Sequence, residues 1–172
     1  MSTVTFYIIP ENIYPLRERE LIKQASLVRK HVLYISLFKR LAEIEESLDK
    51  EIHNVTIVAR KSPSTYKQFV LLEEYCSLAR LSEIMDRLLK KKSFDLVFFD
   101  SFCDLAILNE PHVCKKFLYY LKGHFALQGV DFVAVSKDNE CSSRLIPLIR
   151  RYVDTILFEK WTTNIYKEKT TS

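Results

Sequence analysis

The residues best placed to do chemistry are an aspartate and a serine, Asp100 and Ser101, which directly follow the apolar run at residues 96–99. In an α/β protein, an acid just past the carboxyl end of a central strand can hold Mg²⁺ through water, because ligands bind where parallel strands end. The simpler interpretation, which we favour, is that Asp100 ends its strand and caps the next turn. We expect no resident metal ion or cofactor.

Glycine content limits the kinds of nucleotide site that the chain can build. The chain has 172 residues but only two glycines, Gly123 and Gly129. Two glycines at these positions cannot form a glycine-rich loop whose backbone wraps closely around phosphates. The sequence therefore predicts neither a P-loop nor a dinucleotide-binding fingerprint.

Cysteine and histidine spacing argues against a metal site. The four cysteines are Cys76, Cys103, Cys114 and Cys141, and no two of them form a Cys-x-x-Cys clamp. The nearest histidine, His112, has no second pair to complete a zinc site. Because no secretory signal or long apolar run is visible, we expect an intracellular protein with reduced thiols, cytoplasmic or, in a eukaryote, nuclear, and no membrane partner.

Composition and length predict one globular domain. Hydrophobic residues make up 48 % and charged residues 28 % of the chain, so a sizeable core can form. The net charge is +4, and its whole excess lies in the second half of the chain. This imbalance permits contact with DNA or an acidic partner but does not require it. We expect a single domain over residues 1–166 and a polar tail over 167–172.

Short apolar strands alternate with helical segments along this domain. Most strand candidates are continuously apolar, which is typical of strands that are buried on both faces of a parallel sheet. The helical stripes need a sheet face to pack against, so we expect right-handed crossovers and helices on both sides of the sheet. The predicted strands are residues 4–9, 32–37, 54–59, 95–99, 130–135 and 155–158.

Several of these segments together resemble the RecA-like recombinase and KaiC-like ATPase superfamily. LVFFDS at residues 96–101 is similar to its Walker B pattern, and VLYISL at 32–37 to its second core strand. FLYYL at 117–121 and GVDFVAVS at 129–136 resemble the helix and strand after Walker B, and YVDTILFE at 152–159 resembles its ending. The matches cover most of the chain in order. They imply a RecA-like α/β fold, a three-layer sandwich with a mostly parallel central sheet.

The chain departs from this superfamily at the parts that bind and hydrolyse ATP. In an active member, a glycine-rich loop ending in Gly-Lys-Thr or Gly-Lys-Ser follows the first strand. Here residues 10–17 read PENIYPLR: Pro10 and Pro15 lack N–H donors, and Glu11 adds a negative charge. The resemblance also places a general-base glutamate around Phe38, where this chain has none.

These departures imply a protein that acts by binding. Positioning and electrostatic stabilisation are nearly all that a protein contributes to phosphoryl transfer, so we expect no meaningful ATPase activity and no catalytic residues. Asp100 and Ser101 would then be a remnant. The resemblance implies a non-enzymatic partner or regulator of another RecA-like ATPase subunit, or of a second copy of this chain. Recombination-accessory paralogues and archaeal KaiC-like regulators both fit, and the basic excess leans towards recombination.

Two clusters of basic residues are candidates for a nucleic-acid or partner surface. Lysines at a helix end also complement the helix dipole, and a basic loop is more often only exposed to solvent. We therefore favour the interpretation in which these residues have no binding role. Tyr66 would be available for stacking on a base. The candidate residues are Arg60, Lys61, Tyr66, Lys67, Lys90, Lys91 and Lys92.

Two other functions stay open. The first is a small Rossmann-like enzyme in which Asp100, Asp104 and Ser36 crowd one rim of the sheet. The second is a receiver-like signalling domain with Asp100 as acceptor. That function needs an acidic cluster after the first strand, and Glu11 alone is a poor match.

Overall fold

The computed structural model describes residues 2–29, 31–48, 54–62, 69–72 and 76–160. Seven strands and six α-helices alternate along these residues. The strands are β1 (Val4–Pro10), β2 (Val32–Arg40), β3 (Val55–Arg60), β4 (Phe69–Leu72), β5 (Leu96–Asp100), β6 (Asp131–Asp138) and β7 (Thr155–Phe158). The helices are α1 (Tyr14–Val28), α2 (Leu41–Ser47), α3 (Leu78–Lys91), α4 (Leu105–Leu108), α5 (Pro111–Gln128) and α6 (Glu140–Ile149).

All seven strands form one parallel sheet in the order β4-β3-β2-β5-β6-β1-β7. The predicted α/β class with helices flanking a parallel sheet is therefore confirmed. The first strand lies inside the sheet, between β6 and β7, and the strand that ends in Asp100 lies between β2 and β6. The carboxyl ends of β1, β2, β5 and β6 consequently meet at one edge of the sheet.

The main differences from the predicted strands concern β4 and β2. β4, with the sequence FVLL, was not predicted; it is a four-residue strand at one edge of the sheet. β2 runs on to Arg40, beyond its predicted end at Leu37. Its pairing with β3 shifts register between Ile35 and Arg40, and this irregularity interrupts the apolar pattern that the prediction used.

Helix ends follow the local sequence. Pro111 occupies the first turn of α5, where its missing N–H is not needed. The helix continues through Gly123 and ends at Gly129, whose φ of 67° lies in the left-handed region that glycine adopts most easily. Among the described residues, no helix combines the length and the apolar character needed to cross a membrane.

The sheet separates two hydrophobic clusters, one on each face. α3, α5 and α6 cover the first cluster, and α1 and α2 cover the second. Aromatic rings fill the centre of the first cluster around Phe102, which lies in the 3-10 turn Phe102–Asp104 directly after Ser101. The Phe102 ring is fully buried and lies 5.3–6.3 Å from the rings of Phe6, Phe99, Phe117 and Phe132. The segment that leaves Asp100 is thus anchored in the core.

Candidate functional site

The candidate site lies at the carboxyl edge of the sheet, on the face that α1 covers. Asp100 is the last residue of β5, and its register partner on β2 is Ser36. Tyr34 lies two residues before Ser36 and so points to the same face, where it stacks on Phe98 with 5.7 Å between ring centroids. Asp100 is only 2 % exposed. Its carboxylate therefore depends on protein groups for its hydrogen bonds.

Both oxygens of the Asp100 carboxylate are occupied. The Tyr14 hydroxyl donates a hydrogen bond to Oδ1. Oδ2 lies 3.0 Å from the Tyr34 hydroxyl and 3.3 Å from the Ser36 hydroxyl. The Lys39 ammonium also lies 3.0 Å from Oδ2. Three hydroxyls and one ammonium of the same chain therefore take the place of water around this carboxylate.

A second buried carboxylate shares these partners. Glu18 lies one helical turn after Tyr14 on α1, so the two side chains point in the same direction. Its oxygens lie 2.8 Å from the Tyr34 hydroxyl and 2.8 Å from the Lys39 ammonium. Lys39 thus bridges Glu18 and Asp100. We call the group of Tyr14, Glu18, Tyr34, Ser36, Lys39 and Asp100 the Asp100 cluster.

The two carboxylates of the Asp100 cluster compete for one hydroxyl proton, and this competition affects their charges. Tyr34 has one hydroxyl proton but lies within hydrogen-bond distance of both carboxylates, so it can donate to only one of them at a time. Burial, and next the charge of Asp100, raise the pKa of Glu18, while Lys39 and Tyr34 lower it by less. A protonated Glu18 can donate to Tyr34, which then donates to Asp100. Burial and the same carboxylates hold the pKa of Tyr34 well above its ordinary value, so it keeps its proton.

The raised pKa of Glu18 predicts that stability falls as pH rises. Above the unfolded-state pKa of about 4.3, the folded chain holds more of the Glu18 proton than the unfolded chain, so raising pH removes stability until the folded pKa is passed. We expect Glu18→Gln, which cannot ionise, to lose this decline. Urea unfolding of both proteins from pH 4.5 to 8 measures it.

The matched control for this measurement is Glu20→Gln, which removes a carboxylate from the same helix at an exposed position. It is expected to keep the wild-type dependence of stability on pH. If Glu18→Gln and Glu20→Gln give the same profile, Glu18 does not carry the decline.

The turn between β1 and α1 uses its backbone donors internally. The N–H groups of Ile13 and Tyr14 donate to the carbonyls of Pro10 and Glu11, at 3.1 and 3.3 Å. Pro15 has no N–H group, and it stands in the first turn of α1. Two of the N–H groups at this helix start are therefore committed, and a third is missing.

The structure brings some of the predicted site residues together. Ser36 and Asp100 are in contact, as the enzyme alternative required, and Ser101 is buried next to Asp100. Asp104 is also buried, and its N–H donates to the Ser101 carbonyl at 3.2 Å. Burial raises the pKa of Asp104, against the charge of Lys137. Within the described residues, no three His, Cys, Asp or Glu side chains are grouped so that they could bind a metal ion.

The predicted basic surface is only partly described. Arg60 ends β3 and Lys61 follows it, whereas Tyr66 and Lys67 lie outside the described residues. Lys90 and Lys91 are exposed at the end of α3. Lys92 turns back to the protein: its ammonium lies 3.2 Å from the Thr56 hydroxyl and 5.5 Å from the centre of the Phe94 ring.

The four cysteines are free thiols. Burial raises the pKa of Cys103 to about 12 and that of Cys114 to about 11. Thiols with such pKa values stay protonated at neutral pH and are poor nucleophiles.

Four members of the Asp100 cluster were not identified from the sequence: Tyr14, Glu18, Tyr34 and Lys39. Spacing was the available signal. Tyr14 and Glu18 are four residues apart, and Leu21 and Ile22 follow Glu18 at helical spacing on the same face, so this spacing places a carboxylate on the buried face of α1. Lys39 lies next to Phe38, where the resemblance places a general-base glutamate.

Comparison with known proteins gives a structural match but no sequence match. No protein-family model matches the chain, and no curated protein matches it by sequence. A solved structure of a KaiC-like protein from the hyperthermophilic archaeon Pyrococcus horikoshii OT3 aligns with a TM-score of 0.64 at 12 % identity. The alignment covers 95 % of this chain and 74 % of that chain. At this identity the likeness shows the fold alone: a RecA/KaiC-like α/β fold.

Proposed function

We propose that this chain is a catalytically inactive protein with a RecA/KaiC-like fold, which acts as a non-enzymatic partner or regulator of an active homologous ATPase in DNA recombination or repair. The observation that carries the proposal is the Asp100 cluster. The Walker B-like carboxylate is surrounded by hydroxyls and an ammonium of the same chain, at the place where an active member would need it for Mg²⁺ and ATP.

Lys39 supports this proposal through charge. A Mg²⁺ ion needs near-octahedral oxygen ligands at 2.0–2.1 Å, as a general property of that ion. The Oδ2 atom of Asp100 already lies 3.0 Å from the Lys39 ammonium, which is itself held by Glu18 at 2.8 Å. A divalent cation at Asp100 would have to displace this ammonium against its own charge. The residues present therefore fit a lysine better than a metal–nucleotide complex.

The geometry of the β1–α1 turn also supports the proposal that the chain is catalytically inactive. The triphosphate of ATP needs several free N–H donors and a lysine at this turn. The N–H groups of Ile13 and Tyr14 are already bonded, and Pro15 has none. The Tyr14 side chain also reaches into the site and donates to Asp100. ATP would have to break these contacts in order to enter.

The direct test is binding of ATP and Mg²⁺. We expect no change in melting temperature at millimolar ATP and Mg²⁺, no saturable binding of a fluorescent ATP analogue, and no phosphate release above a protein-free blank. Saturating binding to the folded state would raise the melting temperature, because a ligand at 100 times its dissociation constant stabilises by about 2.7 kcal/mol. Such a rise, abolished by Asp100→Asn, would overturn the proposal.

The partner role has its own test. The chain is mixed with P-loop RecA-like ATPases from the same cell, and their ATPase rate and co-elution are measured with and without it. We expect one of them to co-elute and to change its rate. If none of them does either, the regulatory role is wrong even where ATP binding is absent.

A further inference from the structure

A groove unrelated to the Asp100 cluster crosses the exposed face of α5. It reaches the 3-10 turn Arg150–Tyr152 and has an open volume of about 550 Å³. Tyr119, Tyr120 and Tyr152 line it, with Gly123 between them. α5 leads back to the start of β6, so its C-terminal half lies towards the amino edge of the sheet, away from the carboxyl edge that holds Asp100.

One wall of the groove is an aromatic ring fixed in place. The Tyr120 hydroxyl donates to Asp86 of α3 at 2.9 Å, and its ring stacks on His124 with 5.8 Å between centroids. His124 itself lies 3.2 Å from the same Asp86 carboxylate. These contacts hold a Tyr120 ring that is still 40 % exposed, so little side-chain freedom remains to be lost on binding.

The other wall is a stack of two tyrosines and an arginine. Tyr119 packs edge-on against Tyr152 with 5.4 Å between centroids. The Arg151 guanidinium lies 4.8 Å from the centre of the Tyr152 ring. Tyr119 is 65 % exposed, which leaves much of its ring available for contact.

Gly123 opens the space between the two walls. A Cβ atom built there would meet no other atom within 4 Å, so the packing of the fold does not require glycine at this position. Glycine inside a helix is unfavourable compared with alanine. Its effect is to leave the backbone accessible between Tyr119 and Tyr120.

Two exposed cations belong to the elements that form the groove. Arg151 lines it, and Lys90 is exposed on α3 one helical turn beyond Asp86, the residue that holds Tyr120. Asp86 accepts a hydrogen bond from Tyr120, and Asp154 is paired with Lys122 at 2.9 Å. An arriving single strand therefore meets aromatic rings with Arg151 beside them, and Lys90 on the neighbouring helix.

We propose that this groove binds single-stranded nucleic acid, with bases stacked on Tyr119 and Tyr120 above Gly123 and phosphates bound by Arg151 and Lys90. Proteins that bind single strands without sequence preference combine aromatic rings, on which the bases stack, with basic residues that bind the phosphates. The inference rests on the DNA role proposed above and gives it a site. It does not depend on the state of the Asp100 cluster, so the ATP test and the test below can fail separately.

The test is fluorescence anisotropy with a labelled oligo-dT of about 20 nucleotides in about 50 mM salt. We expect Tyr119→Ala to weaken binding about tenfold, whereas Tyr119→Phe, which keeps the ring, retains it. Arg151→Ala and Lys90→Ala should each reduce the slope of log affinity against log salt by about 0.7. The matched control for charge is Lys160→Ala, which removes an exposed lysine beyond β7 and is expected to leave the slope unchanged.

Gly123→Gln separates occlusion of the groove from unfolding. The new side chain fills open space and replaces a poor helix former, so the melting temperature should hold or rise while binding falls about tenfold. No oligonucleotide binding at low salt overturns the proposal. Oligonucleotide binding that Tyr119→Ala and Gly123→Gln leave intact also overturns it. If the groove variants change only self-association in sedimentation velocity, the groove binds a second copy of the chain and the proposal is wrong.

Discussion

Lys39→Met is expected to lower the free energy of unfolding by about 3 kcal/mol, because it removes the one ammonium that bridges two buried carboxylates. Glu18 is 1 % exposed and Asp100 is 2 % exposed, so neither can recover its hydration when the lysine is lost. The Lys39 side chain is itself 29 % exposed, which places the expected loss at the lower end for a broken buried ion pair. Urea unfolding at pH 7 measures the loss.

Two variants make this result specific. Lys91→Met removes an exposed lysine at the end of α3 and should change stability by no more than about 0.5 kcal/mol. In Lys39→Met, Glu18 must either stay charged without its ammonium or take up a proton at pH 7, and both are unfavourable. The double variant Glu18→Gln with Lys39→Met avoids this cost, so it should recover at least about 1 kcal/mol of the loss. A Lys39→Met protein as stable as Lys91→Met would show that the bridge contributes nothing.

Phe102→Ala is expected to cost about 3–5 kcal/mol, because a fully buried ring is removed from the centre of four others. The turn that carries Phe102 contacts both α6 and β6, so the surrounding elements cannot close around the cavity without moving the end of β5. Urea unfolding of the purified variant measures the effect, and Phe102→Leu, which fills part of the space, should lose clearly less.

Phe158→Ala is the control for this loss. Phe158 ends β7 and is 60 % exposed, so its truncation removes the same atoms from a mostly solvated site. We expect a change within about 0.5 kcal/mol. Equal losses for Phe102→Ala and Phe158→Ala would contradict the assignment of Phe102 to the centre of the core.

The fold could be predicted from the sequence because its signals are local and repeated. Continuous apolar runs such as residues 96–99 identify strands that are buried on both faces, and the stripe of α3 identifies its helix. The edge strand β4 escaped because four residues give too short a pattern.

The Asp100 cluster was less predictable because its contacts join residues far apart in the chain. Asp100 and Ser36 follow from strand-end reasoning, but Tyr14 reaches Asp100 across 86 positions of sequence. No sequence pattern identifies a lysine that neutralises two carboxylates from other segments of the chain. The sequence predicted that residues 10–17 do not form a phosphate-binding loop. It did not predict that the Tyr14 side chain of this segment contacts Asp100.

The position of β1 in the sheet has a consequence for synthesis. Val4 pairs with Phe132 and Thr5 pairs with Thr155, so β1 finds its neighbours only after β6 and β7 have been translated. Until then its apolar side chains and both of its edges await partners, which is the state that chaperones bind. The long loops that must close also favour slow folding. Translation of β6 and β7, rather than of the strands before them, is therefore the step that allows this sheet to close.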